Sequence, residues 1–515
     1  MHKHITHTKN QVILTLILKR LNFLQPTSKL YGNECSVKSL GFITIICCTA
    51  LLPCCIKVGP DYSAPKAQMP DAWTESIDAD NKSYLTGSQR WWKKYNDPTL
   101  DKLIKISREA NPNIRIARAR ISESWYQRSV LSAAWYPKAE FNARDEHGLG
   151  SFDSSSVKWD FDSSHRQMAN LDAGWELDLF GRVTRQVEAA TAEYEAKIEG
   201  YRDALVFINS EVALHYIAYR TLEKRIDVAE EVTVNYTQIK KMIDGRIEDS
   251  IATKIEYHES SADLKASEAE VPRLRQEKKV VGNRLAALLA MRPAEVPEQL
   301  KSNSKIPTPP SVIRTGFPAE ILRSRPDIRR AERKVAAQSA RIGVATANFY
   351  PQLSLSGAIS YEYFRQGITV ETLTRTLGLG PSVKWRIFNA CADRNRVREQ
   401  ESKLNQAITL YEGTVINAVA QVENSMTILH YSKKRLGLLN KATKEYSAAA
   451  NLMDEAYQTG QVDLRRLLNA QQDYIRTKDE SIATLGRHAA HSVRLFKALA
   501  GGELPQPTTT AAAAN

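Results

Sequence analysis

The stretch "YPQLSLSGAISYEY", residues 350–363, alternates strictly between apolar and polar or small side chains after its proline. The apolar series is Leu353, Leu355, Gly357, Ile359, Tyr361 and Tyr363, and the other series is Gln352, Ser354, Ser356, Ala358, Ser360 and Glu362. A period of two residues indicates a β-strand with one apolar and one polar face. Similar alternation predicts three further strands, so that four strands lie at about residues 139–149, 167–180, 352–363 and 378–388.

Most of the remaining chain is predicted to form long helices. In each half, core-type residues follow alternating steps of three and four, which is typical of coiled coils. The two series are Leu205, Ile208, Val212, His215, Tyr219, Leu222, Ile226 and Ala229, and Val415, Val419, Val422, Met426, Leu429 and Leu436. A helix from residue 181 to 244 would be about 95 Å long, too long for a compact globular domain. Gly245 and Gly460 are predicted to mark tight turns, after which each half returns as a second helix.

The chain contains an internal duplication. Residues 111–137, "NPNIRIARARISESWYQRSVLSAAWYP", align with residues 325–351, "RPDIRRAERKVAAQSARIGVATANFYP", and in both the last proline follows the first by 25 positions. We therefore predict a first repeat over residues 106–290, a proline-rich linker over 291–324, a second repeat over 325–500 and a C-terminal tail over 501–515. The period of about 210 residues is too long for a solenoid repeat.

Four strands in one chain leave open sheet edges, which a lipid bilayer does not tolerate. One interpretation is a soluble sandwich, in which the apolar face packs on a second sheet and more strands are expected. The other is a barrel in the outer membrane, with lipid outside and water inside, shared between several chains. Two copies would supply eight strands, three copies twelve and four copies sixteen. The pattern favours the shared barrel and leaves the number of copies open.

The N-terminal residues 1–54 are predicted to be a signal region. Lys38 precedes an apolar run of about 13 residues, which suits a signal peptide and is too short to span a bilayer as a helix. The run ends in "LLPCC", which resembles a bacterial lipobox with Cys55 as the lipidated residue, although Cys54 is the neighbouring candidate. An ordinary cleaved signal with incidental cysteines is the alternative. Residues 1–36 suggest a misassigned start with Val37 as the initiator, and Ile56 after the lipobox favours sorting to the outer membrane.

Charge and motifs exclude several functional classes. The net charge of +13 is spread along the chain without a block of Lys and Arg, so we expect no nucleic-acid partner. His488 and His491 stand three residues apart, but no third ligand lies nearby in the sequence, so we predict no metal site. Phosphate-binding, dinucleotide-binding and hydrolase motifs do not occur, and we predict neither a cofactor nor an enzymatic activity.

Several motifs together resemble the outer-membrane efflux proteins, the TolC-type channels, and in particular their NodT-like lipoprotein branch. They are "VGPDYSAP", "WWKKYNDPTLDKLI", "WELDLFGR", "RPDIRRAE" and "FYPQLSLSG", and they occur in this order between about Cys55 and Gly502. The resemblance implies a homotrimer, with a twelve-stranded β-barrel in outer-membrane lipid above a periplasmic tunnel of helices. An inner-membrane efflux pump and a periplasmic adaptor would be its partners. Residues 55–105 would form the lipid anchor and an equatorial segment, and the linker of residues 291–324 would lie in the same equatorial region.

The function that the resemblance implies is that of a passive exit duct for exported small molecules, opened when the adaptor and pump dock. The alternative is a lipid-anchored periplasmic coiled-coil scaffold or adaptor without a membrane barrel. Four strand charges would face the lumen, or else form a satisfied structural cluster: Glu176, Asp178, Lys384 and Arg386. The periplasmic tip or gate would be formed by Gly245, Gly460, Asp463, Arg465, Arg466 and Asn469. With Asn469 where the family's pattern has an aspartate, the constriction would be less acidic than usual.

Overall fold

The computed structural model describes residues 56–65, 73–74, 90–154, 157–248, 252–301, 305–310, 313, 322–366 and 370–499. The predicted signal region and its Cys55, most of the predicted linker after residue 301 and the predicted tail lie outside the described residues. No helix in the described ranges has both the length and the apolar character needed to cross a bilayer.

The helices and strands form two matching series. The first repeat contains α2 (Pro112–Ser132), β1 (Lys138–Ser154), β2 (Val157–Leu177), α3 (Arg182–Glu248) and α4 (Lys254–Leu289), preceded by α1 (Pro98–Ala110). After the short α5 (Val296–Leu300), the second repeat contains α6 (Pro326–Ala347), β3 (Gln352–Gln366), β4 (Val370–Lys384), α7 (Ala392–Gln458) and α8 (Leu464–Ala498). Helices α3 and α7 each have 67 residues. Each is therefore about 100 Å long.

The strands form one antiparallel sheet in the order β1-β2-β3-β4. The hairpins reach further than the alternation predicted, since β1 continues to Ser154 and β3 to Gln366. The predicted strands were therefore too short at this end of the sheet, where β2 also begins earlier than predicted, at Val157. At the opposite end the strands stop sooner, at Leu177 and Lys384, because the chain turns there into a long helix.

The two repeats use the same contact where the sheet meets the helices. The Trp175 indole donates a hydrogen bond to the carbonyl of Trp135, with a distance of 3.0 Å. In the second repeat, the Trp385 indole donates to the carbonyl of Phe349, also at 3.0 Å. Both carbonyls lie just before a Tyr-Pro pair, so the duplication extends to side-chain contacts.

The largest apolar core lies beside the middle of the long helices, where α1 packs against α3 and α4 and the segment before α1 contacts α8. Trp91 is fully buried and stacks on Phe496 with 5.4 Å between ring centroids. The Tyr216 hydroxyl donates to the Asp97 carboxylate at 2.8 Å, and Asp97 also caps the start of α1. The "WWKKYNDPTLDKLI" motif therefore fixes the flanking segment to the helices at mid-length.

Candidate functional site: the sheet, its junction with the helices and the helical tip

One face of the sheet carries a row of exposed apolar side chains. Phe141, Leu171, Ile359 and Leu377 lie side by side across the four strands, and they are 67%, 45%, 54% and 79% exposed. A soluble monomer rarely leaves so continuous an apolar patch in water. In the described chain β1 and β4 each pair with one strand and leave one edge open. This face therefore needs lipid or another chain against it.

The opposite face carries small and polar side chains. One row consists of Asn142, Asn170, Ser360 and Thr376. Nearer the hairpin tips the face holds two ion pairs that the sequence did not single out, Arg166 with Glu362 and Arg144 with Glu146, both at 3.2 Å. These pairs are well exposed and contribute little stability. A face of this kind suits contact with water.

The predicted strand charges of the first repeat lie where β2 leads into α3, and both are engaged in structural contacts. Glu176 accepts two hydrogen bonds from the Arg182 guanidinium, at 2.9 and 2.5 Å. Asp178 lies beyond the end of β2 and caps α3, accepting from the backbone N–H groups of Val183 and Thr184 at 3.0 and 2.7 Å. The Thr184 hydroxyl adds a third bond at 2.8 Å.

The corresponding residues of the second repeat are less constrained. Lys384 is the last residue of β4, and Arg386 lies beyond the strand with its guanidinium 3.7 Å from the buried Asp393 carboxylate. That carboxylate also accepts from Arg396 at 2.8 Å and from Asn389. Lys384 is exposed, and both Lys384 and Arg386 line one small cavity of about 190 Å³ with Asn348, Tyr350 and Gln352.

The two helix starts reach the same backbone geometry with different residues. Gly181, directly before α3, has φ 72°, in the left-handed region that glycine tolerates. Before α7 the chain instead places Ala390 and Cys391 in that region, with φ 50° and 64°. A residue with a Cβ in this conformation costs roughly 1–2 kcal/mol. In the stretch "IFNACADR", residues 387–394, two strained residues therefore stand where the first repeat has one glycine.

The segment 56–62 is clamped beside this junction by Arg185. The Arg185 side chain is fully buried and donates to the carbonyls of Val58 and Gly59 at 3.0 and 2.9 Å. It also forms ion pairs with Asp61 and Glu188, each at 3.0 Å. A hydrogen bond from Lys57, reinforced by the charges of Lys57 and Arg185, lowers the pKa of the Asp61 carboxyl.

Two glycines allow this clamp to close. Gly59 lies against Gly343 of α6 so tightly that a Cβ on Gly59 would overlap the Gly343 backbone. A Cβ on Gly343 would in turn lie 2.7 Å from the Arg185 Nε atom. The "VGPDY" motif is thus held between α3 of the first repeat and α6 of the second, and Tyr62 adds a hydrogen bond to Glu332 of α6 at 3.0 Å.

At the far end of the helices, the structure corrects the prediction for Gly245. Gly245 lies inside α3, which continues to Glu248, and α4 begins at Lys254. A helix interior tolerates glycine at a cost of about 1 kcal/mol, so a glycine does not by itself end a helix. Thr253 and Glu256 form a capping box that starts α4. Gly460, in contrast, does lie at the α7–α8 turn with φ 74°.

The remaining tip residues begin α8. Asp463 caps this helix, accepting from the Arg466 backbone N–H at 2.9 Å, and the Arg465 guanidinium reaches Glu259 of α4 at 2.8 Å. Arg465, Arg466 and Asn469 are exposed. On α4, burial and the nearby Glu259 charge raise the pKa of the Asp263 carboxyl. The described tip therefore mixes both signs of charge.

Comparison with known proteins yields consistent matches. The sequence model of the family "Outer membrane efflux protein" matches residues 103–291 and 317–501, one match per repeat. Nodulation protein T of Rhizobium leguminosarum bv. viciae is 26% identical over 471 residues, which is 90% of this chain and 95% of that protein. Outer membrane protein OprJ of Pseudomonas aeruginosa is 25% identical, covering 86% of this chain and 92% of that protein. The solved structure of the outer-membrane channel OprN is 29% identical with a TM-score of 0.76, covering 87% of this chain and 100% of that chain.

Proposed function

The chain belongs to the outer membrane efflux protein family, and we propose that three copies assemble into an exit duct that a pump and an adaptor open. The protein is an efflux channel of the outer membrane, and its fold is that of this family's channels. The single observation that carries the assembly is the sheet: it combines an exposed apolar row, a polar opposite face and two open edges. The number of three copies is proposed from membership of the family.

The barrel follows from the physics of these edges. Unpaired backbone N–H and C=O groups are costly in lipid, so the sheet can enter a bilayer only when β4 of one chain pairs with β1 of the next. Three chains would then supply twelve strands, four from each. The row from Phe141 to Leu377 would face lipid, and the row from Asn142 to Thr376 would line water. This arrangement satisfies both faces and both edges at once.

A lipid anchor at Cys55 fits the contacts of the residues that follow it. The Val58 N–H bonds to the Phe180 carbonyl at 3.4 Å, and Gly181 packs against Lys57. The segment after Cys55 is thus fixed at the level where β2 gives way to α3. In the trimer this is the periplasmic rim of the barrel, at the height of the inner leaflet. We infer that lipidation of Cys55 adds a second attachment to the membrane.

The helices α3, α4, α7 and α8 would form the tunnel wall in the periplasm, with their turns at the end that meets the adaptor and the inner-membrane pump. The gate would lie at this tip, around Gly460, Asp463, Arg465, Arg466 and Asn469. Lys384 and Arg386 would line the duct near the barrel's inner rim, where exported small molecules pass. Glu176 and Asp178 would contribute mainly by holding the start of α3.

The test uses processed, full-length protein purified in detergent. A duct predicts a trimer that dissociates only on heating and that conducts ions in planar bilayers. The alternative, a lipid-anchored periplasmic scaffold, predicts a protein that conducts nothing and that alkaline washing releases after Cys55→Ala. In the duct, Cys55→Ala should leave both the trimer and its conductance intact, because the barrel itself stays in the membrane. A lone, non-conducting subunit would refute the proposal.

A further inference from the structure

We propose that Asp145, His147 and His165 form a binding site for a divalent transition-metal ion of the Zn²⁺ type, at the hairpin end of the sheet. No metal site was expected from the sequence, because the one histidine pair considered, His488 and His491, has no third ligand nearby in the chain. The three side chains come from two strands, β1 and β2, and their potential ligand atoms lie within 4.8 Å of one another. Two imidazoles and a carboxylate are a ligand set that Zn²⁺ accepts.

The strand geometry brings these residues together. Asp145 and His147 stand two residues apart on β1 and therefore share one face of the sheet. His147 is paired directly with His165 of β2. The two imidazole rings stack with their centroids 4.1 Å apart and only 10° between their planes. Both rings turn toward the same carboxylate, since His165 Nε2 lies 2.7 Å and His147 Nε2 3.8 Å from Asp145 Oδ1.

These distances are close to those that a metal ion requires. With bonds of 2.0–2.1 Å in a tetrahedral arrangement, two ligand atoms lie about 3.3 Å apart. One contact must therefore lengthen by about 0.6 Å and the other shorten by about 0.5 Å. The two imidazole rings must also tilt out of their parallel stack, so that the in-plane lone pairs of both nitrogens meet at the ion. The His165 proton that now points at Asp145 would move to Nδ1, so that both rings bind as neutral imidazoles. A water molecule would complete the coordination.

The surroundings leave the site accessible to ions. The side chains of Asp145 and His147 are 57% and 72% exposed, and that of His165 is 29% exposed. Across the sheet, His165 is paired with Arg365 of β3, and Arg365 is paired with Glu371 of β4. The charges of these two residues have opposite signs. Glu146 points to the other face and pairs with Arg144 at 3.2 Å, so it does not compete for the metal.

A bound ion would link β1 to β2 at the height where β3 ends, since His165 pairs with Arg365, next to the last residue of that strand. The site lies on the same face as the row from Phe141 to Leu377, but beyond that row towards the hairpin tip. In the trimer it would therefore lie on the outward surface of the barrel, above the lipid-facing row, and only this location depends on the proposed function. Metal binding itself depends on the β1–β2 pairing alone. Conductance and metal affinity can therefore fail separately.

The experiment is a calorimetric titration of ZnCl₂ into the processed, chelator-treated trimer in detergent. We expect one ion per chain, with the affinity falling about tenfold or more in His147→Gln and in His165→Gln. His430→Gln removes an exposed histidine of α7 and should leave the affinity unchanged. A heat-resistant trimer on gels establishes that each variant is folded.

A second measurement uses the unmutated protein alone. Cu²⁺ binds such ligand sets more tightly than Zn²⁺ does, and its electron paramagnetic resonance spectrum should show coupling to two imidazole nitrogens. The proposal would be overturned if the unmutated trimer bound no Zn²⁺ at concentrations up to about 1 mM, because a dissociation constant above this value is too weak to matter. Unchanged affinity in both histidine variants, or a copper spectrum without nitrogen coupling, would also overturn it.

Discussion

Replacing Arg185 with methionine should release the segment 56–62 while leaving the rest of the fold in place. The methionine fills most of the same volume but donates no hydrogen bond. The Val58 carbonyl belongs to a buried residue, so leaving it without a donor costs about 1–3 kcal/mol. The second carbonyl, of Gly59, is exposed and loses about 1 kcal/mol at most, because water replaces the guanidinium.

The sum of about 1–4 kcal/mol corresponds to a roughly 5- to 1000-fold increase in the opening of this segment. Amide hydrogen exchange of residues 57–62, measured by mass spectrometry on the detergent-solubilised trimer, should accelerate by about this factor. The matched control is Arg182→Met, one turn earlier on α3, which removes the ion pair with Glu176. Its exchange in residues 57–62 should stay at the level of the unmutated protein.

The reasoning would be refuted if amide exchange of residues 57–62 in Arg185→Met stayed within about threefold of the rate in the unmutated protein. Equal acceleration in both variants would show instead that the start of α3 controls the segment. Gly343→Ala provides an independent check, because its Cβ would lie 2.7 Å from Arg185 Nε and push the guanidinium out of place. It should loosen the same residues without removing any hydrogen-bonding group.

Three further changes test other parts of the structure. Leu377→Arg on the apolar face should destabilise the membrane-inserted trimer by about 2–4 kcal/mol, measured by denaturant titration in vesicles. Thr376→Arg, on the polar face, should destabilise the trimer much less. Equal losses of stability in the two variants would contradict the assignment of the faces. Cys391→Gly should raise the free energy of unfolding by about 0.5–1 kcal/mol, because relief of the left-handed strain exceeds the added entropy of the unfolded chain; a loss of stability would contradict this. Burial, helped by the nearby charges of Arg494, His488 and Arg487, lowers the pKa of His491 from 6.5 to about 4, so the unfolded chain alone takes up a proton between these values. The free energy of unfolding should therefore fall as the pH drops from about 6.5 to 4. In His491→Gln, the melting temperature measured by thermal denaturation should depend less steeply on pH over this range. The same pH dependence in both proteins would show that His491 is not responsible for the loss of stability.

The long helices were the most predictable part of the fold, because their signal is local and repeated many times. Val212 and Ile226 are two members of a series that continues over the buried side of α3, and both are buried. The turn after α3 was misplaced because Gly245 was given more weight than the cap. The Thr253–Glu256 capping box is itself a sequence signal and marks the start of α4 correctly.

Other features depend on contacts between distant residues and could not be read from the chain. His165 meets Asp145 and His147 only because of the register of the β1–β2 hairpin, and a shift by one residue would send it to the opposite face. Arg185 looks like one charge among many on a helix. Its role depends on a distant part of the chain, because Gly59, whose carbonyl accepts its hydrogen bond, lies 126 positions earlier.

The duplication also explains why the segment 56–62 docks at one place in the chain and not at two. Each repeat presents a helix after its sheet, but the docking surface combines α3 of the first repeat with α6 of the second. Arg185 supplies the donors, and Gly343 supplies the space that a side chain would fill. At the corresponding point of the second repeat, the start of α7 carries the Arg386–Asp393–Arg396 cluster instead. The sheet and the helices therefore follow the two-fold repeat. Only the docked segment 56–62 departs from it, and it does so where the two repeats meet.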